Sequence, residues 1–109
     1  MREWVPLIQV YETISQIIVL IETPGVDRSS LHLKFMGNKI VLSGEKRKMD
    51  LSDIVKERNE IGYGKFSRTI TIPLAITNRE SINTSYTNGL LKIDISKETE
   101  NLSHFDIKL

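Results

Sequence analysis

Gly64-Lys65-Phe66-Ser67-Arg68-Thr69-Ile70-Thr71-Ile72-Pro73 alternates with the period of a half-buried strand: Phe66, Arg68, Ile70 and Ile72 share one face, and Ser67, Thr69 and Thr71 share the other. An arginine therefore stands on the apolar face. Burying a guanidinium is costly unless carboxylates or carbonyls meet it, so this strand is expected where two elements or two subunits meet. Outward from it, short blocks rich in valine, isoleucine and threonine recur at residues 7–13, 17–23, 31–35, 40–43, 82–86 and 90–96, separated by turn residues. That spacing predicts a nearly all-β chain folded as an antiparallel sandwich. Pro24-Gly25 and Gly37-Asn38 supply breaks, and Asn88-Gly89 is the preferred pair for a two-residue hairpin in which both central residues have positive φ. Short helical turns are expected at residues 27–30 and 78–81, where polar residues can cap them.

The composition narrows the chemistry. At 109 residues, 39% apolar and 27% charged, the chain suits one soluble domain with a modest core. Its longest apolar run, Ile17 to Ile21, is strand-sized, and no secretory signal is visible, so a cytoplasmic location is expected. The absence of cysteine excludes disulfides, thiolate metal sites and thiol catalysis. A net charge of +1 gives no electrostatic reason to expect nucleic acid or an acidic membrane as partner, and the basic run Lys46-Arg47-Lys48 reads as a solvated loop flank. His32 alternates with Leu31 and Leu33 and is expected to face solvent, while His104 stands far away near the end of the chain. Ser43-Gly44 and Ser67 lack a strand-turn-helix setting, and the glycines form no phosphate-cradling loop. No catalytic residue, metal ligand, cofactor or small-molecule substrate is predicted.

Four separated motifs stand in a fixed order: Glu22-Thr23-Pro24-Gly25, Ile40-Val41-Leu42-Ser43-Gly44-Glu45, the Gly64 to Pro73 run, and Tyr86-Thr87-Asn88-Gly89-Leu90-Leu91. Together they resemble the small heat-shock protein family (Hsp20, α-crystallin domain), in its E-x-P-G, L-x-I-x-G-E, G-K-F-x-R and N-G-hydrophobic-L motifs. The resemblance implies an immunoglobulin-like antiparallel β-sandwich, an α-crystallin domain over residues 7–97, with a vestigial N-terminal arm at 1–6 and a C-terminal tail at 98–109.

The stretch from Glu45 to Tyr63 is long for a compact sandwich, and residues 54–61 within it are extended enough to form a strand. In bacterial and plant members of the resembled family this loop donates a strand to a neighbouring subunit, and Arg58 and Glu60 match an R-x-E pattern found there. The resemblance therefore assigns Ile54, Val55, Arg58, Glu60 and Arg68 to a dimer interface, with Glu57 or Glu60 as candidate partners of Arg68. A disordered polar loop is the alternative. In the tail, Ile107-Lys108-Leu109 places two apolar side chains on one face of an extended segment, the geometry of a peptide that adds to a sheet edge. It is similar to the family's I-x-I/V motif, which docks between strands that the resemblance matches to residues 40–43 and 90–96. Ile40, Leu42, Leu91 and Ile93 are thus the expected groove for the tail and for clients, although their alternation suits a sandwich core equally well. Leucine in the second position and the adjoining carboxylate predict weaker docking.

The resemblance implies an ATP-independent holdase chaperone that binds partly unfolded proteins and suppresses their aggregation. Its partners would be itself, as a strand-swapped dimer or a larger oligomer built from it, and unfolded clients. The short arm keeps a rival open: a structural self-assembly protein of a coat or particle, built on the same module, with little client activity.

Overall fold

A computed structural model describes residues 4–97. Each block that alternates in sequence forms a strand: β1 Ile8–Glu12, β2 Gln16–Glu22, β3 His32–Met36, β4 Lys39–Lys46, β5 Gly64–Thr71, β6 Ile82–Thr87 and β7 Leu90–Ser96. They make two antiparallel sheets, one ordered β1-β2-β7-β6 and the other β3-β4-β5. The inner faces meet in a core of Ile17, Val19 and Ile21 from β2, Leu91, Ile93 and Ile95 from β7, Ile40 and Leu42 from β4, and Phe66 and Ile70 from β5. Each such side chain contributes about 1.5–3 kcal/mol through burial.

The two expected helical turns are single turns of 3-10 helix, Arg28–Ser30 and Arg79–Ser81. Asp27 caps the first, its carboxylate accepting from Ser29 N at 3.1 Å and from Ser29 Oγ at 2.8 Å. These bonds hold the Asp27 carboxyl below its usual range. Asn78 caps the second by accepting from Glu80 N at 2.9 Å. Asn88 and Gly89 both take positive φ, 53° and 75°, and turn β6 into β7 as the dipeptide requires.

β4 runs further than its apolar pattern predicts, through Gly44, Glu45 and Lys46. Those residues pair with Phe66, Lys65 and Gly64 of β5, and Glu45 N also donates to Ser30 Oγ at 3.0 Å, so hydrogen bonding extends the strand where side-chain burial does not. Between β4 and β5, residues 47–63 form neither helix nor strand. Among the described residues no helix is long and apolar enough to cross a membrane.

Candidate functional site

Four strands end the two sheets, β1 and β6 in one and β3 and β5 in the other. A sandwich of this order has two seams, and they differ. The segment ahead of β1 lies along the seam beside β5. Pro6 is fully buried, its carbonyl accepts from Arg68 Nη1 at 2.9 Å, and Trp4 meets Phe66 edge-on with ring centroids 5.0 Å apart. The seam between β3 and β6 is an open crevice of about 700 Å³, walled by Leu33 and Phe35 of β3 and by Ile82 and Thr84 of β6, and lined also by Arg79 and by Ile76, whose amide donates to Gly37 O at 2.7 Å. A smaller hollow continues it past Leu31 to Tyr86. Leu33, Phe35, Ile82 and Tyr86 are half-buried: they pack on the core and keep part of their surface toward the crevice.

Ile40, Leu42, Leu91 and Ile93, expected as groove walls, are core residues instead, at 0%, 0%, 6% and 0% exposure. They sit on β4 and β7, each flanked by paired strands on both sides and covered by the opposing sheet. Of the four, Leu91 reaches the floor of the smaller hollow beside Tyr86. The open walls belong to the outermost strands, β3 and β6.

The loop residues are the reverse case. Every residue from 47 to 61 is exposed, Met49, Leu51, Ile54, Val55 and Ile61 among them, and Val55 at 91% has almost no contact with its own protomer. Polar bonds inside the loop brace it: Lys48 Nζ meets Glu57 Oε2 at 2.7 Å, and Arg58 Nε meets Glu60 Oε2 at 3.0 Å. Residues 54–61 form no strand within the protomer. Arg58 and Glu60 are therefore paired with each other, and among the described residues Arg68 enters no ion pair. Of the two kinds of partner that a guanidinium on an apolar face accepts, carboxylate or carbonyl, the protomer supplies a carbonyl, that of Pro6. Ile107 and Leu109 lie outside the described residues.

His32 is exposed, and among the described residues no three His, Cys, Asp or Glu side chains are grouped to hold a metal ion. From sequence Trp4 is an exposed apolar candidate of the arm, whereas it packs on the core beside Phe66; Pro6 was passed over, and Leu33, Phe35 and Ile82 were not weighed as groove walls. A weak signal existed for the strap, an apolar Trp4-Val5-Pro6 run directly ahead of a strand. None distinguished β3 and β6 as sheet edges.

A sequence model described as "Hsp20/alpha crystallin family" matches residues 9–108. The chain is 34% identical over 95 residues to Heat shock protein 16 of Schizosaccharomyces pombe, covering 84% of this chain and 66% of that protein. It is 30% identical to Small heat shock protein C4 of Rickettsia felis, covering 87% and 58% respectively, so it spans less than two thirds of the length of either relative. Among solved structures, Heat shock protein 16.0 from Schizosaccharomyces pombe superposes with a TM-score of 0.79 at 29% identity, covering 98% of this chain and 99% of that one. HSP18.5 from E. histolytica gives 0.75 at 25% identity, covering 97% and 99%. With the two-sheet sandwich, the four motifs and a match over nearly its whole length, the chain belongs to the Hsp20/alpha crystallin family.

Proposed function

We propose that the chain is an ATP-independent holdase that captures apolar segments of partly unfolded proteins in the cytoplasm and catalyses no reaction. The observation that carries the proposal is the open β3/β6 crevice. Its side chains recur at a two-residue period on both walls, Leu33 and Phe35 on β3 and Ile82 and Thr84 on β6, beside strand edges that pair with no other strand among the described residues. An extended peptide fits such a site, giving main-chain hydrogen bonds to an edge and every second side chain to the hollow. Binding driven by apolar burial needs no nucleotide.

Self-association follows the same physics. The loop at residues 47–63 carries five exposed large apolar residues and finds no place on its own protomer, so a second copy is its natural recipient, paired along the free edge of β1. The Ile107-Lys108-Leu109 motif has the period that β3 and β6 present, and the crevice is its proposed dock on another subunit. A tail seated there competes with clients for the same walls.

Light scattering from a heat-labile client, warmed with increasing amounts of this chain and without ATP, tests the proposal. Suppression at near-equal subunit ratios is expected, with Phe35→Ser reducing it while the variant stays folded. No suppression by a folded chain overturns the holdase reading.

A further inference from the structure

The two roots of the long loop are held by a side chain from the far end of the sequence. Lys46 is the last residue of β4, where the loop leaves, and Tyr63 directly precedes β5, where it returns. Lys46 Nζ lies 4.7 Å from the centre of the Trp4 ring and 6.0 Å from that of Tyr63, so one ammonium is shared by two aromatic faces. Trp4 cannot drift from this position cheaply. Its ring abuts Phe66 edge-on at 85°, and two residues on, Pro6 is buried and tied by its carbonyl to Arg68. The stem of Lys46 passes beside Gly25, where an added Cβ would stand 3.4 Å from its Cε. Beyond these roots, every residue from 47 to 61 is exposed, and the ion pair of Arg47 with Glu45 of β4, at 3.1 Å, lies at the departing root.

We infer that Trp4 is a positioning residue for the loop: with Lys46 and Tyr63 it clamps the two roots together and so sets the direction in which the loop leaves the domain. The inference deepens the proposed dimer and rests on it for its functional consequence. A loop offered to a second copy binds in proportion to the fraction of time it points the right way, so a loosened clamp weakens the dimer without removing any contact between subunits. The clamp also links the segment ahead of β1 to the dimer, since anything that pulls Trp4 away from Phe66 releases the loop.

The test uses the full chain, four single variants, Trp4→Ala, Trp4→Phe, Lys46→Met and Lys46→Arg, and the Trp4→Ala, Lys46→Met double variant. Amide hydrogen exchange is followed at residues 45–48 and 62–65, and the dimer constant is obtained by sedimentation on dilution. Faster exchange at both roots is expected for Trp4→Ala and Lys46→Met, with dimers weakened about three- to tenfold, which is the range a partly exposed cation–π contact supports. Lys46→Arg keeps the cation and is expected to restore parental exchange and affinity; Trp4→Phe falls between. The Trp4→Ala, Lys46→Met double variant should be no weaker than either single one, because both open the same clamp. Unchanged root exchange in Trp4→Ala overturns the inference, and so does a loss confined to global stability that Lys46→Arg fails to distinguish from Lys46→Met. A parent that stays monomeric at every concentration refutes the dimer reading instead, and the exchange at the roots still decides the clamp.

Discussion

Gly44→Ala is expected to destabilise the domain, although replacing a strand glycine by alanine ordinarily stabilises. Gly44 stands opposite Phe66 in the β4–β5 ladder, and the phenyl ring leans across it. A Cβ at Gly44 would lie 2.8 Å from Phe66 Cζ and 3.1 Å from both Phe66 Cε1 and Leu31 Cδ2. Carbon atoms rest at about 3.5–4.0 Å, so the ring must retreat by roughly 0.7 Å. Its retreat is opposed by Trp4, packed edge-on against it. Overpacking of this kind costs about 1–3 kcal/mol, against which the lost backbone freedom of glycine returns about 0.5–1 kcal/mol. The net loss is about 1–2 kcal/mol, a fall in melting temperature of roughly 4–16 °C for a domain of this size. Urea unfolding followed by Trp4, the chain's single tryptophan, gives the midpoint and the slope in one titration. A lower midpoint at unchanged slope is expected, with a shift in native-state emission as Phe66 moves against the indole. Gly44→Ala with parental or higher stability and unaltered emission would refute the reasoning, because the close approach would then be absent.

Three further outcomes follow from the described geometry. Leu42→Ala should cost about 2–5 kcal/mol in denaturant unfolding, as for a fully buried side chain, whereas the half-buried Phe35, replaced by serine, should cost less and show its main effect in client protection. Thr23→Val should cost about 1 kcal/mol by thermal unfolding; Thr23 is fully buried, and its hydroxyl donates to Gly89 O at 3.0 Å, a carbonyl that Thr23 N still meets at 2.7 Å after the substitution. Asp27→Asn keeps the cap oxygen but removes the charge. The native Asp27 carboxyl is held below its ordinary 3.8, so its contribution is present above that value and is lost as pH falls through the lowered one. The stability gap between parent and variant, measured by urea titration at a series of pH values, should accordingly be present at neutral pH and close on acidification.

Period-two alternation made the strands legible, because it reports burial of one face and nothing else has that period. Turn chemistry was equally readable: Asn88-Gly89 has the one hairpin geometry its residues favour, and Asp27 and Asn78 cap the turns that follow them. The end of β4 was not, since Glu45 and Lys46 are held by pairing with β5 rather than by burial. The crevice was not legible for a deeper reason. Leu42 on a central strand and Phe35 on an edge strand read alike in sequence, both apolar and both on an alternating face. What separates them is the number of neighbouring strands, which depends on sheet order and hence on contacts between distant parts of the chain. Arg68 shows the same limit: its need for a polar partner is written in its place on an apolar face, but the partner, Pro6 O, lies 62 residues away.

The four motifs, far apart in sequence, reduce to two contacts in space. Glu22-Thr23-Pro24-Gly25 meets the Asn88-Gly89 hairpin where Thr23 bonds Gly89 O, and where a Cβ on Gly89 would stand 3.3 Å from Pro24 Cα. Gly44 of the second motif meets Phe66 of the third so closely that an added Cβ would stand 2.8 Å from the ring. Each motif therefore constrains one other, which is why they occur as a set and why any one alone says little. Compensation should respect the same pairing. In a Gly44→Ala background, Phe66→Leu removes the ring atoms that clash and should recover part of the lost stability, whereas Thr23→Val should add its own cost independently, because it belongs to the other contact. Coupling in the first pair with simple additivity across the two pairs is the expected pattern. Equal coupling among all of these positions would mean that the sandwich transmits strain between its ends, and that the motifs act as one network rather than two.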